Sequence, residues 1–431
     1  MVVFLALLQL ALVGVICIIE LRRKSPVVFL WGTLAIMFGV MNLLSSISSN
    51  SSYSKSAIIE SSAFTIFFSL IYLISRFILN SINSYNFKKF DYENIKNKLL
   101  NSRTTILTII VLLVIGRSIY VTAKYSGGLL STSWSLNRAY STSLNYLSID
   151  KISKVIFFSL SGLAVITFIK KQYKTTVLLI LSMLFSVIVS RNRIEILPIA
   201  VSIIMLIIFS KKRIKLSTIM LVVFIGILVI YSIYGIRIFR HAGTMDNFFS
   251  MYTLSTFNDK VFEHINTDNG DLGLRKYFYY FILNDNQFPG FGQGSTYIRM
   301  MLVYIPTRFA FGLKPADFAV TMGAAVGASI GGSIHPTLFG DCYANIGWYG
   351  ILLGMFWAIF AYIGDAIIVT RKKMNDSILI YAIYAVSYVI IGRGSVYNGF
   401  IYIAYGVPII ILIRFLCNST PKIVLSKQLN Y

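Results

Sequence analysis

The sequence predicts an all-α, polytopic membrane protein, and three observations predict it. The chain has 431 residues, of which 56% are hydrophobic and only 13% charged, with mean hydropathy +0.74. A soluble domain carries roughly 25% charged residues. Apolar runs of about 16–20 residues recur with almost no charge inside them, the mark of helices that cross a bilayer. Basic residues between the runs alternate in density, as the orientation of membrane helices requires.

Taken in order, the runs predict about eleven spans: 2–19, 26–44, 63–79, 104–122, 152–169, 175–190, 197–210, 217–236, 346–370, 377–392 and 399–416. The first run lacks a basic segment before it and is followed by Arg22-Arg23-Lys24. That order predicts a retained first span with its N-terminus outside, not a cleaved signal. One set of connections continues through Lys88, Lys89, Lys96, Lys98 and Arg103, then Lys170, Lys171 and Lys174. It goes on through Lys211, Lys212, Arg213 and Lys215 to Arg371-Lys372-Lys373, Lys422 and Lys427. The opposite short connections hold far fewer: Lys55; Lys124, Arg138 and Lys151; Arg191 and Arg193; Arg393. The bias puts the first set in the cytoplasm.

The domain organisation follows. Residues 1–236 form eight transmembrane helices, 237–345 a large extracytoplasmic loop, and 346–431 three more helices and a cytoplasmic tail. A loop that long needs elements of its own. Half of the 16 acidic residues lie in it. Its stretch 297–311 is apolar, carries Arg299 and Arg308, and is broken by Pro306. It reads as an interfacial or re-entrant helix.

The net charge of +23 would suggest nucleic acid in a soluble domain. Here most of the excess flanks spans on one side, so nucleic acid is not an expected partner. Membrane lipid is. Cys17, Cys342 and Cys417 form no disulfide framework or CxxC pattern, and His241, His264 and His335 are scattered. No metal and no cofactor is expected, and no Walker or Rossmann motif occurs.

What composition leaves unexplained is a set of charges on the exported side. A charge at membrane depth is costly, about 2.5–3.5 kcal/mol on insertion scales, and reads first as functional. Arginine's planar fork suits phosphate. Arg191 and Arg193 sit with Glu195 in Ser-Arg-Asn-Arg-Ile-Glu, a short turn between two apolar helices. They read as a phosphate fork with Glu195 positioning one arm, or as arginines that snorkel to headgroups. Arg308 and Lys314 offer a second anion contact or a headgroup anchor. Arg393, between Gly392 and Gly394, offers a guanidinium that a ligand approaches closely, or a lipid contact in a tight turn. His335, in the loop entering the ninth predicted span, titrates near neutral pH. It and Asp341 are candidate proton acceptors, or parts of a capped rigid loop. Arg76, Arg117 and Arg414 lie a turn or two inside span ends, where snorkelling is the expectation.

With these residues in view, the chain resembles the Wzy-type oligosaccharide repeat-unit polymerases of O-antigen and capsule. The resemblance rests on the span count, the Arg-containing turn, one late exported loop and the His-Pro-Thr stretch running to Asp341. It also rests on Gly340–Gly350, which is similar to the family's Y-x-N-x-G-x-x-G segment. It implies a GT-C-like fold in the bacterial cytoplasmic membrane. The implied activity is metal-independent transfer of a growing glycan from undecaprenyl pyrophosphate onto a lipid-linked repeat unit at the outer face. Arg191, Arg193, Arg308 and Arg393 would hold the pyrophosphate. His335, then Asp341, would activate the acceptor hydroxyl, with Glu195 in support. The family's setting leaves a place for a chain-length regulator as a partner. Three alternatives stay open: an O-antigen ligase, with the same chemistry; a lipid-linked oligosaccharide flippase, for which no internal repeat is evident; and a permease or structural component of exopolysaccharide export.

Overall fold

The computed structural model describes residues 1–47, 53–82, 85, 87–90, 94, 105–125, 148–190, 193–210, 215–242, 245–266, 272–325 and 334–419. Among them no strand occurs. In lipid an unpaired backbone amide costs several kcal/mol, and a helix satisfies its own.

The chain opens with α1 (Val2–Arg23). Lys24 ends it in the left-handed region, with its N–H on Leu21 O and that of Ser25 on Glu20 O. That paired closure satisfies the last carbonyls and turns the chain back. Next come α2 (Val28–Ile47), with a π-helical stretch at Ala35–Val40, and α3 (Lys55–Ile82). The helices α4 (Thr105–Tyr125), α5 (Ser148–Ile169), α6 (Tyr173–Ser190), α7 (Leu197–Ser210) and α8 (Leu216–Ala242) follow. Six shorter helices occupy the next segment: α9 (Met245–Met251), α10 (Leu254–Asn266), α11 (Arg275–Leu283), α12 (Ser295–Met301), α13 (Phe318–Ala325) and α14 (Thr337–Ile346). The chain then runs through α15 (Leu353–Thr370), α16 (Met374–Arg393) and α17 (Val396–Ser419).

Among the described residues, seven helical stretches are long and apolar enough to cross a membrane: α1, α2, α3, α8, α14 through α15, α16 and α17. The other four predicted spans coincide with α4–α7. Their apolar stretches among the described residues are shorter: 108–117, 155–169, 173–188 and 194–210. At about 1.5 Å per residue, the 14 residues of α7 fall short of a hydrocarbon core about 30 Å thick.

The core is built around α16, which is buried along nearly its whole length. Helices α2, α5 and α17 pack on it, α15 packs on α3, and α3 on α1. Two glycines allow close approach between these helices. A β-carbon on Gly354 of α15 would stand 2.5 Å from the Phe68 carbonyl of α3, and one on Gly399 of α17 would stand 2.7 Å from the Ser387 carbonyl of α16. Where lipid removes the hydrophobic drive between helices, such backbone contact supplies the packing. Helix α8 stands at the periphery, with most of its side chains outward.

The stretch 297–311 is not one helix. α12 ends at Met301, turns follow, and a single 3-10 turn spans Thr307–Phe309. Pro306 has no N–H to continue the ladder. The ninth predicted span is likewise interrupted. α14 stops at Gly347, with φ 61, and a 3-10 segment leads on to α15.

Candidate functional site

The helix ends carrying Arg22-Arg23 and Arg371-Lys372-Lys373 define a basic end. The candidate site lies at the other end, where α16 finishes. Arg393 is its last residue, 8% exposed, and a cation there complements the helix dipole. The chain comes back to this point at His335–Thr337. The Thr337 N–H donates to the Gly394 carbonyl at 2.9 Å. The imidazole Cγ of His335 is 3.8 Å from where a β-carbon on Gly394 would stand. That is ordinary contact distance; what a β-carbon at 394 would crowd is the Ile390 carbonyl, at 2.9 Å. His335 is thus set beside Gly394, the residue that follows Arg393, although the two segments are far apart in sequence.

Thr337 holds this junction at a conformational cost. Its φ is 68°, a region that costs an L-residue about 1–2 kcal/mol, and it is β-branched. Its hydroxyl donates to the Pro336 carbonyl, and the Ile334 N–H donates to Ala319 O at 2.9 Å. Such outliers cluster at functional sites, where surrounding structure maintains them.

Asp341 lies one turn further on, inside α14 and not in a loop. It is fully buried. It accepts from the Thr296 hydroxyl at 3.3 Å and the Asn345 amide at 3.0 Å, while Asn345 Oδ1 accepts the Thr296 N–H at 3.1 Å. These bonds tie α14 to α12. The side chain holds that joint from a fully buried position.

Beside the joint, Arg299 stacks its guanidinium 4.5 Å from the Tyr397 ring centroid and donates to the Pro315 carbonyl. Burial raises the Asp317 carboxyl above the usual carboxylate range, while Arg299 and the Ala319 and Val320 amides oppose the rise. The Lys314 ammonium donates to the Ile305 carbonyl at 2.7 Å, closing its own loop. Arg308 sits on an exposed turn with its guanidinium 4.6 Å from the Phe309 ring centroid. Glu195 accepts the Ser186 hydroxyl of α6, and its turn packs on α6, α7 and α8. Arg191 and the side chain of Arg193 lie outside the described residues, as does the side chain of Arg414.

One charge group escaped the sequence reading. Arg76 does not snorkel: it is 1% exposed. Its Nε donates to Glu20 Oε1 at 2.9 Å and its Nη2 to Glu20 Oε2 at 3.2 Å and to Asp365. The Tyr72 hydroxyl donates to Glu20 at 3.1 Å and that of Ser25 to Asp365 at 2.7 Å. The signal was present in the sequence. Glu20, Arg76 and Asp365 each stand a short way inside the basic end of an apolar helix, where a partner of opposite sign removes the need to reach water.

Comparison with family models, with characterised proteins and with solved structures gave no match.

Proposed function

We infer that the chain is a membrane glycan polymerase. It transfers a growing glycan from undecaprenyl pyrophosphate to a lipid-linked repeat unit at the outer face of a bacterial cytoplasmic membrane. The observation that carries this reading is the packing of His335 against Gly394, next to Arg393, at the end opposite the basic helix ends and beside a strained Thr337. In this reading α4–α7 complete the crossings to eleven, in a GT-C-like arrangement. The acceptor hydroxyl oxygen attacks the anomeric carbon while the bond from that carbon to the pyrophosphate oxygen breaks. Pyrophosphate leaves with the electron pair, and Arg393 stabilises its charge together with Arg191, Arg193 and Arg308. A preorganised cation at a developing anion is worth several kcal/mol of barrier. His335 takes the proton of the acceptor hydroxyl, and an imidazole suits that work near neutral pH.

The test is the surface polysaccharide of a deletion strain. A polymerase leaves single repeats on the lipopolysaccharide, whereas a ligase leaves no O-chain. Complementation with Arg393→Ala or His335→Ala then gives no ladder on a gel, and full ladders from both sink the assignment.

A second reading, transport of a lipid-linked oligosaccharide, is favoured by a different observation. Glu20, Arg76 and Asp365 meet among the helices near the basic end, away from the outer site. Buried charges inside a membrane bundle mark ion or substrate paths. A transporter deletion stops repeats from reaching the outer face, and membrane-impermeant enzymes that act on the glycan would then find none there.

A further inference from the structure

Helix α17 contains Pro408. A proline has no N–H for the carbonyl four residues earlier, and its ring crowds that carbonyl. Here the carbonyl is that of Ala404. It lies eight residues beyond Val396, where α17 begins, or about 12 Å along the axis from the candidate-site end. The stretch Val396–Ile413 is apolar enough to cross a membrane, and in lipid a freed carbonyl has to find its donor within the protein. The donor comes from the segment after α12. The Tyr304 hydroxyl donates to the Ala404 carbonyl at 2.6 Å.

The contact is reciprocal. One residue past Ala404, the Tyr405 hydroxyl donates to the Val303 carbonyl at 2.9 Å. The two tyrosine rings meet edge-on, with centroids 5.5 Å apart. Phenol is suited to this work, since an apolar ring carries a hydroxyl that takes a partner when buried. The connection between α12 and α13 is also tied across its own base. Lys314 donates to the Ile305 carbonyl at 2.7 Å, and Arg299 donates to that of Pro315. Between these ties lies the 3-10 turn Thr307–Phe309, which carries Arg308. Residues 302–315 therefore form a strap that is closed on itself. It is fastened to α17 by two hydroxyls, at the point where proline interrupts the helix.

We propose that Tyr304 and Tyr405 are positioning residues: a hydroxyl latch on the proline break of α17 that fixes the strap and sets Arg308 toward its anion. The identity of that anion, pyrophosphate, rests on the polymerase reading; the latch does not. Removing either hydroxyl leaves a carbonyl short of its donor and frees the strap from α17. Arg308 then loses its fixed place, although its charge remains.

The full chain in lipid nanodiscs gives two readouts. The first is amide hydrogen exchange by mass spectrometry, without substrate. Tyr304→Phe and Tyr405→Phe each keep the ring and remove the hydroxyl, and each is expected to speed exchange across 302–315 while α16 stays as in wild type. Strap exchange equal to wild type in both variants overturns the latch. The second is the rate of polymer formation from lipid-linked repeats extracted from the deletion strain. Arg308 acts on the charge that develops as pyrophosphate leaves, so its misplacement lowers kcat more than it raises KM. Tyr304→Phe is expected to lower kcat by about tenfold and to hold KM within about twofold. In an Arg308→Ala background the same substitution is expected to change kcat by less than about twofold, because its effect passes through Arg308. An unchanged kcat in Tyr304→Phe, or an equal loss in both backgrounds, overturns the positioning role. Should Tyr304→Phe not fold, Tyr405→Phe runs the same cycle. A wild type that forms no polymer defeats the polymerase reading instead, and exchange still decides the latch.

Discussion

At the scale of single residues, the candidate site depends on two unusual environments. Thr337 occupies a left-handed backbone that glycine adopts freely. Thr337→Gly is expected to fold with a thermal midpoint at or above wild type. Relief of about 1–2 kcal/mol of backbone strain outweighs a glycine entropy cost of about 0.5–1 kcal/mol. A clear drop in midpoint would mean that the threonine hydroxyl on Pro336, and not the backbone angle, governs this corner. Asp317 gives a pH prediction. Burial, the largest influence, raises its folded pKa above the unfolded value of about 3.9. The native state therefore holds its proton more tightly than the unfolded chain. The associated stability is fully present below the unfolded pKa and is lost as pH rises through the folded one. Asp317→Asn removes this dependence. Melting curves at a series of pH values are expected to show the variant gaining on wild type as pH rises, and a constant difference contradicts it.

At the scale of elements, contact between helices is decided by small residues. On α15, Gly354 leaves no room for a β-carbon against the Phe68 backbone carbonyl. Gly354→Ala must push α15 from α3, and backbone cannot yield as a side-chain tip can. The expected cost is about 1–3 kcal/mol, the range for overpacking. Because α3 and α15 also carry Arg76 and Asp365, the same change should weaken their pairing. Gly14→Ala is the control, since nothing lies within 4 Å of a β-carbon there. Thermal unfolding of the two variants in detergent compares them, and equal midpoints would refute the close-packing account. Helix positions were legible in the sequence because a span declares itself by apolar length. The predicted runs coincide with helical segments, and among the described residues seven helical stretches are long and apolar enough to cross a membrane. Interruptions were harder to read. The break at Gly347 and the split of 297–311 depend on where turns meet other elements, such as Gly294 N–H on the Asn345 carbonyl at 3.1 Å. No local pattern announces such a pairing.

At the scale of the whole molecule, charge divides the bundle into two unlike ends. The junction of His335 with Gly394 could not be read from sequence, because it joins the segment before α14 to the end of α16. For Arg76 the sequence held a signal, charges of both signs just inside the basic ends of apolar helices, but not which of them meet, and each charge taken alone reads as snorkelling. What sequence did carry was the asymmetry of the connections, and that asymmetry makes a prediction about sidedness. Positive flanks stay in the cytoplasm, so Arg22-Arg23 and Arg371–Lys373 should face inward and the α12–α13 connection outward. Phe311 in that connection is 91% exposed, which makes it a good reporter position, and Lys372 is exposed at the basic end. In a chain with Cys17, Cys342 and Cys417 replaced by alanine, Phe311→Cys is expected to react with a membrane-impermeant maleimide on intact spheroplasts. Lys372→Cys is expected to react only after the membrane is permeabilised. The reverse pattern would invert the bundle. It would place His335 and Arg393 on the cytoplasmic side, where a reaction using lipid-linked repeats at the outer face has no use for them.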